Sequence, residues 1–256
     1  MTTAEPPSSE PGGRALSRVA TAIVVGLLAA VLLDRLAAAI GFTSAFGAGI
    51  ALAGSPTLRM LVTDLAVWVP LGVAIGIGTY WLRLPGPGWF MRTLWIRFSA
   101  TDIFWGIAIA FICRAVDAFL SLGFFGTTGF GGQASVDGGP PVGELVLLVV
   151  GTCLITPVIE ELFFRGLLLQ WLLRRASAAG EGRGGVIASV LISAVVFGIM
   201  HVFVAQSTAL GDTVEFVSTF LLGALVAAVV ARTGRLGTAL VAHVLFNALA
   251  VALTWP

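Results

Sequence analysis

Both histidines of the chain, His201 and His243, lie inside long apolar runs, and so do the adjacent acids Glu160 and Glu161, the guanidinium of Arg165 and the carboxamide of Asn247. A charged group at bilayer depth costs at least ~2.5–3.5 kcal/mol on insertion scales, so each needs a partner, a wet cavity or a task. As a set they could activate water and hold an oxyanion, with Glu and His as bases and His and Asn as donors. They could equally give two imidazoles and a carboxylate to a zinc ion with an open fourth position. A Glu–Glu pair could also serve as a proton or cation site in a transporter.

Spacing sharpens these options. In Thr156-Pro157-Val158-Ile159-Glu160-Glu161-Leu162-Phe163-Phe164-Arg165, Glu161 and Arg165 stand four apart with the acid first, the favourable order for an ion pair within one helix. Glu160 points about 100° away and has no partner on its own helix. Pro157 cannot donate a backbone hydrogen bond, so a kink one turn before the acids is expected, with a loosened carbonyl near Cys153 and room for water. Phe197 and His201 stand at i and i+4 beside Gly198, which permits close helix approach. His243 and Asn247 repeat the spacing and share one face. At about 1.5 Å per residue from the nearest Arg cluster, Glu160, His201, His243 and Asn247 lie roughly 12–27 Å deep. One cluster contributed by three helices is therefore expected.

Other polar residues in the apolar runs need no chemistry. Arg114 and Asp117, three apart, can neutralise each other. Asp34 and Arg35 stand near a span end, where they are expected to snorkel. Asp64 is close to an interface and has no evident partner. Cys113 and Cys153 are far apart within apolar runs and are expected to be buried inert thiols.

Seven apolar stretches must position these groups, near 19–40, 60–82, 102–122, 143–172, 185–205, 214–231 and 236–255. The hydrophobic fraction of 58 %, with only 11 % charged residues and a mean hydropathy of +1.02, excludes a soluble domain, whose surface needs far more charge. The fold class is all-α, a polytopic transmembrane bundle of about seven spans. Residues 1–13 read as a disordered tail, and the first apolar run as an uncleaved span. Connectors carry breakers: Pro85-Gly86-Pro87-Gly88, the Gly-rich stretch Gly126–Pro141, and Gly180–Gly185. Gly41–Pro56, weakly apolar and glycine-rich, reads as a surface helix or a re-entrant segment.

All fourteen basic residues are Arg. Arg14, Arg18, Arg83, Arg92, Arg97, Arg174, Arg175, Arg183, Arg232 and Arg235 fall on one side of the seven-span arrangement, and only Arg59 on the other. Positive charge gathers on the cytoplasmic side, so the N-terminus is expected in the cytoplasm and the C-terminus outside. Trp68, Trp81, Trp89, Trp95 and Trp255 sit near predicted span ends, as interfacial anchors do. Trp105 and Trp171 fit that pattern less well.

Three segments, Glu160 to Arg165, Phe197-Gly198-Ile199-Met200-His201 and His243-Val244-Leu245-Phe246-Asn247, resemble in order the signatures of the CPBP intramembrane proteases. That family includes the CAAX prenyl endopeptidases of the Rce1 type and bacterial Abi or bacteriocin-immunity relatives. The resemblance covers roughly residues 143–255, a protease core of spans 4–7, while residues 14–142 carry no recognised signature. It implies a helical bundle with a polar cavity opening toward the cytoplasmic side, where a peptide bond of a membrane-associated peptide or protein is hydrolysed. Carried over by position, Glu160 is the general base and His201 its partner in holding the attacking water. His243 and Asn247 donate to the oxyanion, Glu161 and Arg165 orient the site, and Phe197 packs.

With no His-Glu-x-x-His on one helix, and with Asn247 a poor zinc ligand, a metal-free site is the first expectation and no cofactor is required. If metal-dependent, the zinc ligands would be Glu160, His201 and His243. The all-Arg, Ala/Gly-rich composition suggests a high-GC bacterial gene and hence the cell membrane. Two other functions stay open: a non-proteolytic scaffold or immunity protein, and an ion-coupled transporter, for which no internal repeat is seen. Nucleic acid is not an expected partner at a net charge of +1.

Overall fold

The computed structural model describes residues 12–42, 54–128, 142–205 and 207–254. Expectations for residues 1–11, for most of Gly41–Pro56 and Gly126–Pro141, and for Trp255 lie outside the described residues. Among those described there are eight helices and no strand: α1 (Gly13–Phe42), α2 (Pro56–Leu82), α3 (Trp89–Thr93), α4 (Ala100–Phe125), α5 (Val142–Ala178), α6 (Gly182–Ala205), α7 (Ala209–Thr233) and α8 (Gly237–Thr254). All but α3 and α8 are long and apolar enough to cross a membrane, and α8 is an 18-residue apolar helix that brings the bundle to about seven spans. Each expected span is found, lengthened by a few residues at most ends. Phe104, Trp105 and Phe119 point outward from α4, which accounts for Trp105 as a lipid-facing side chain.

Small residues let the helices meet closely. A Cβ on Gly26 of α1 would lie 2.6 Å from the Cβ of Ala74 on α2, and one on Gly106 of α4 would lie 2.5 Å from Val241 of α8. Neither position has room for a methyl group, so glycine sets both interfaces.

The Arg-rich helix ends gather at one end of the bundle. Trp171 near the end of α5 donates to the Leu16 carbonyl at the start of α1, and Arg18 stacks over Trp81 at the end of α2. The link after α3 pairs with the turn before α8, through Leu236 N–H to Trp95 O (3.0 Å) and Gly237 N–H to Arg97 O (3.2 Å). Trp95 makes that link with a left-handed backbone, φ 57°, a conformation disfavoured for bulky residues. Arg235 reaches Asp102 at 3.0 Å, and the buried Asp102 also accepts from Thr238 and the Ser99 N–H. Asp102 thereby ties the start of α4 to the start of α8.

The long helix α5 runs through the middle. Its winding widens into π turns over Leu147–Ile155 and Leu162–Leu168, on either side of an α turn at Thr156–Glu161. Such widened turns occur often at functional sites. The expected kink at Pro157 thus takes another form: the helix continues and is rewound around the proline. The Thr156 N–H bonds to Gly151 O, five residues back. In that register the carbonyl Pro157 leaves without a donor belongs to Thr152, one residue earlier than α-helical bonding predicts.

Candidate active site

Glu160 and Glu161 lie on the α turn between the two widened stretches and point to different neighbours. Glu161 is fully buried. Its Oε1 accepts from Arg165 Nη1 at 2.9 Å and faces His243 Nδ1 at 2.8 Å. Arg165 is also fully buried, with its guanidinium 4.3 Å from the centroid of the Phe197 ring. The intrahelical pair predicted from spacing therefore extends by one member, a histidine from α8. A carboxylate only accepts, so the facing Nδ1 carries the proton and the neutral ring presents a bare Nε2.

His201 is oriented by its own helix. Its Nδ1 lies 3.0 Å from the Phe197 carbonyl one turn back. That oxygen can only accept, so in the neutral ring His201 Nε2 is bare as well. Both Nε2 atoms turn toward one oxygen: Glu160 Oε2 is 3.7 Å from His201 Nε2 and 3.6 Å from His243 Nε2. These are longer than hydrogen bonds. Glu160 Oε2 is buried and has no protein hydrogen-bond partner among the described residues. Three proton-accepting atoms from α5, α6 and α8 thus surround a gap with no donor of their own to fill it. The expected partnerless acid, two imidazoles and three-helix cluster are all present.

That gap fits either of two occupants. The three atoms lie within 4.8 Å of one another. Ligands of a tetrahedral zinc, each at ~2.0–2.2 Å, stand about 3.3–3.5 Å apart, so the set is close to metal-binding spacing. The outward Nδ1 bonds, to a carboxylate and a carbonyl, are the outer supports that metal-bound histidines usually have. A water donating to Glu160 and to one imidazole also fits, since two partners at ~2.8 Å can stand this far apart.

Asn247, one turn after His243 on α8, faces the same region, but its Nδ2 donates to Thr152 O at 2.9 Å. This is the carbonyl that Pro157 leaves without a backbone donor. The carboxamide keeps a second N–H for a substrate oxygen. Phe197 packs as expected, fully buried and in contact with Phe164 and with both imidazoles.

Glu160, His201 and Asn247 line a cavity of about 810 Å³. Its other walls come from the end of α1 (Asp34, Ala38), the start of α2 (Arg59, Asp64, Trp68), the end of α6 (Ala205), the start of α7 (Glu215) and the end of α8 (Val251). Arg35 and Arg59 are the Arg residues at these ends, against ten at the opposite ends and connectors. The cavity therefore extends toward the end opposite the Arg cluster, the end expected to face away from the cytoplasm, whereas the resemblance implies an opening on the cytoplasmic side. Depth counted along helices does not say from which end water enters. Packing closes the Arg-rich side: beyond Glu160 in that direction, Phe163, Phe164, Arg165, Leu167, Leu168, Leu169 and Gln170 are at most 4 % exposed.

Asp34 is a second correction. It does not snorkel; it is 3 % exposed and lines the cavity, because it lies on the face of α1 that turns inward, while its neighbour Arg35 is exposed. Trp68 is not an interfacial anchor either. It lines the cavity and donates to Thr156 Oγ1 at 2.9 Å, one turn before Glu160. Its i,i+4 spacing from Asp64 was the available signal, because both side chains share a face of α2. Arg114 and Asp117 pair at 2.6 Å as expected, and a further bond from Arg114 to Phe246 O and one from Ser218 to Asp117 make them a structural brace.

Residues 142–249 match the family model described as type II CAAX prenyl endopeptidase Rce1-like. No curated protein and no solved structure matches the chain.

Proposed function

From the premise that residues 142–249 are an Rce1-like domain, of the family of CAAX-type intramembrane proteases, we propose that this multi-pass membrane protein hydrolyses a peptide bond with Glu160 and His201 activating water. The observation that carries this is the convergence of Glu160 Oε2 with two bare imidazole nitrogens at 3.6 and 3.7 Å beside a cavity large enough for a peptide segment.

A water in the gap donates one proton to Glu160 Oε2 while His201 Nε2 holds it from the side. Its oxygen attacks the scissile carbonyl as Glu160 takes the proton. The resulting oxyanion accepts from the free N–H of Asn247. Glu160 then gives its proton to the leaving amine, so water is added across the C–N bond and the carboxyl is returned unchanged. Glu161 and Arg165 hold His243 in register through Nδ1. The site lies in a bundle we assign to a bacterial cell membrane on composition.

A second reading draws on the ligand-like spacing of Glu160, His201 and His243. A divalent ion such as zinc would be held by these three and would polarise the carbonyl and the water. The rest of the chain would act as before: Glu161 and the Phe197 carbonyl fix the two rings, and Asn247 donates to the substrate. Chelation separates the two. A metal-free site keeps full activity after exhaustive treatment with a chelator, and a metal site loses it until metal is restored.

The test of function compares peptide termini in membranes carrying wild type with those carrying Glu160→Gln or His201→Ala. A precursor that accumulates in both variants, with both folded as judged by thermal unfolding, supports hydrolysis and identifies the substrate. Identical termini in all three membranes would end the proposal.

A further inference from the structure

Among the described residues the cavity is lined from one end of the bundle, and that end is the wrong one for a substrate made and kept in the cytoplasm. Ten Arg residues stand at the ends and connectors of the opposite side, while Arg59 and the exposed Arg35, next to the cavity-lining Asp34, lie near the cavity's end. By the bias of basic loops toward the cytoplasm, the Arg-rich end is cytoplasmic.

Between that end and Glu160 lies a closed layer. Phe163, Phe164 and Leu167 from α5 are fully buried together with Leu94 before α4 and Leu236 before α8. The fully buried Arg165 fills the rest, held by Glu161. Such close-packed side chains leave no passage for a peptide.

On the other side the walls are wet by necessity. Asp64 Oδ2 is buried without a protein hydrogen-bond partner among the described residues, and it faces a cavity also lined by Arg59 and Glu215. Polar groups at membrane depth are tolerated where they line water.

We infer that the active site is served from the face opposite the cytoplasm, so its substrate is a membrane-tethered polypeptide whose scissile segment emerges on that face. The cavity does not take a lipidated C-terminus presented at the cytoplasmic leaflet. The substrate class rests on the proteolytic function proposed above; the sidedness does not.

The test is cysteine labelling in full-length protein in which Cys113 and Cys153, both buried, are changed to Ser. Thr63→Cys and Ala205→Cys place single thiols on two cavity walls, and Ser177→Cys places one at the exposed Arg-rich end of α5. A membrane-impermeant maleimide is applied to intact cells and to inside-out vesicles. The two cavity thiols are expected to react in intact cells and to lose that reaction in sealed inside-out vesicles, with Ser177→Cys showing the reverse. Cavity thiols that react only in inside-out vesicles, or in neither, overturn the inference. If labelling behaves as expected but Glu160→Gln accumulates no precursor, hydrolysis fails and the sidedness stands. Where a precursor does accumulate, its cut site is expected beyond the cytoplasm-distal half of its own span. A cut site on the cytoplasmic side overturns the substrate class.

Discussion

Changing Glu161 to Gln tests the internal logic of the site most severely, because it removes one charge from a pair sealed away from solvent. Glu161 and Arg165 are each fully buried and 2.9 Å apart, and the same Glu161 oxygen holds His243 Nδ1 at 2.8 Å. Gln keeps the size and an accepting oxygen, so packing changes little. What changes is that Arg165 becomes a buried cation with no anion bonded to it. Removing one partner of a buried pair costs about 3–5 kcal/mol. The lower end applies here because the amide oxygen still accepts and the Phe197 ring still lies under the guanidinium. For a chain of this size about 3 kcal/mol corresponds to a fall in Tm of roughly 6–12 °C.

The measurement is thermal unfolding of the purified protein in detergent, run beside Arg165→Met and the double variant. The double variant is expected to recover most of the loss, since an apolar side chain of similar length needs no counter-charge. Activity should not recover with it, because His243 loses its charged anchor in both. A single-variant cost below ~1 kcal/mol, or simple additivity in the cycle, would refute the claim that these residues form one coupled unit.

Three further outcomes follow from the geometry. Asn247→Leu is expected to cost about 1–3 kcal/mol by leaving the Thr152 carbonyl without its donor; adding Pro157→Ala, which restores a backbone N–H there, should regain much of that stability in the same unfolding assay without regaining activity. Gly26→Ala drives a methyl to 2.6 Å from Ala74 Cβ, whereas Gly76→Ala meets nothing within 4 Å; the first should destabilise by about 1–3 kcal/mol and the second by far less. Asp102→Asn removes the charge that binds Arg235 beside the buried Thr238. Because Arg235 is solvated, the global loss of stability should be small, and the effect should show locally as quicker hydrogen exchange at the Leu236 and Gly237 amides.

Much of this was legible before any coordinates. Long apolar runs leave a chain few alternatives to spanning helices, and the Arg clusters, expected at alternate connectors, do gather at one end of the bundle. The i,i+4 spacings of Glu161 with Arg165 and of Phe197 with His201 appear directly as contacts, because helical periodicity is local. What the sequence could not carry was non-local. That His243 Nδ1 meets Glu161, leaving Nε2 for Glu160, depends on how α8 crosses α5. That Asn247 serves the Thr152 carbonyl depends on a π register no residue type announces. The inward turn of Asp34 and Trp68 depends on which face of α1 and α2 meets the cavity. The direction of the cavity belongs to packing as well: Phe163, Phe164 and Leu167 look like any other apolar run, and only their burial shows that they close the Arg-rich side. That closure also gives no support to a transporter, which needs a path across the bilayer.

The central claim is that one carboxylate of α5 faces both imidazoles of the chain. Because there are only two histidines, ¹⁵N-histidine labelling yields four ring nitrogens, assignable with a single His201→Ala variant. Both rings are expected as Nδ1–H tautomers. Glu160→Gln should shift both Nε2 resonances, and Glu161→Gln should act chiefly on His243 Nδ1. If Glu160→Gln moves neither Nε2 signal, or only one, the three groups do not share a site and the proposed hydrolysis has no machinery to perform it.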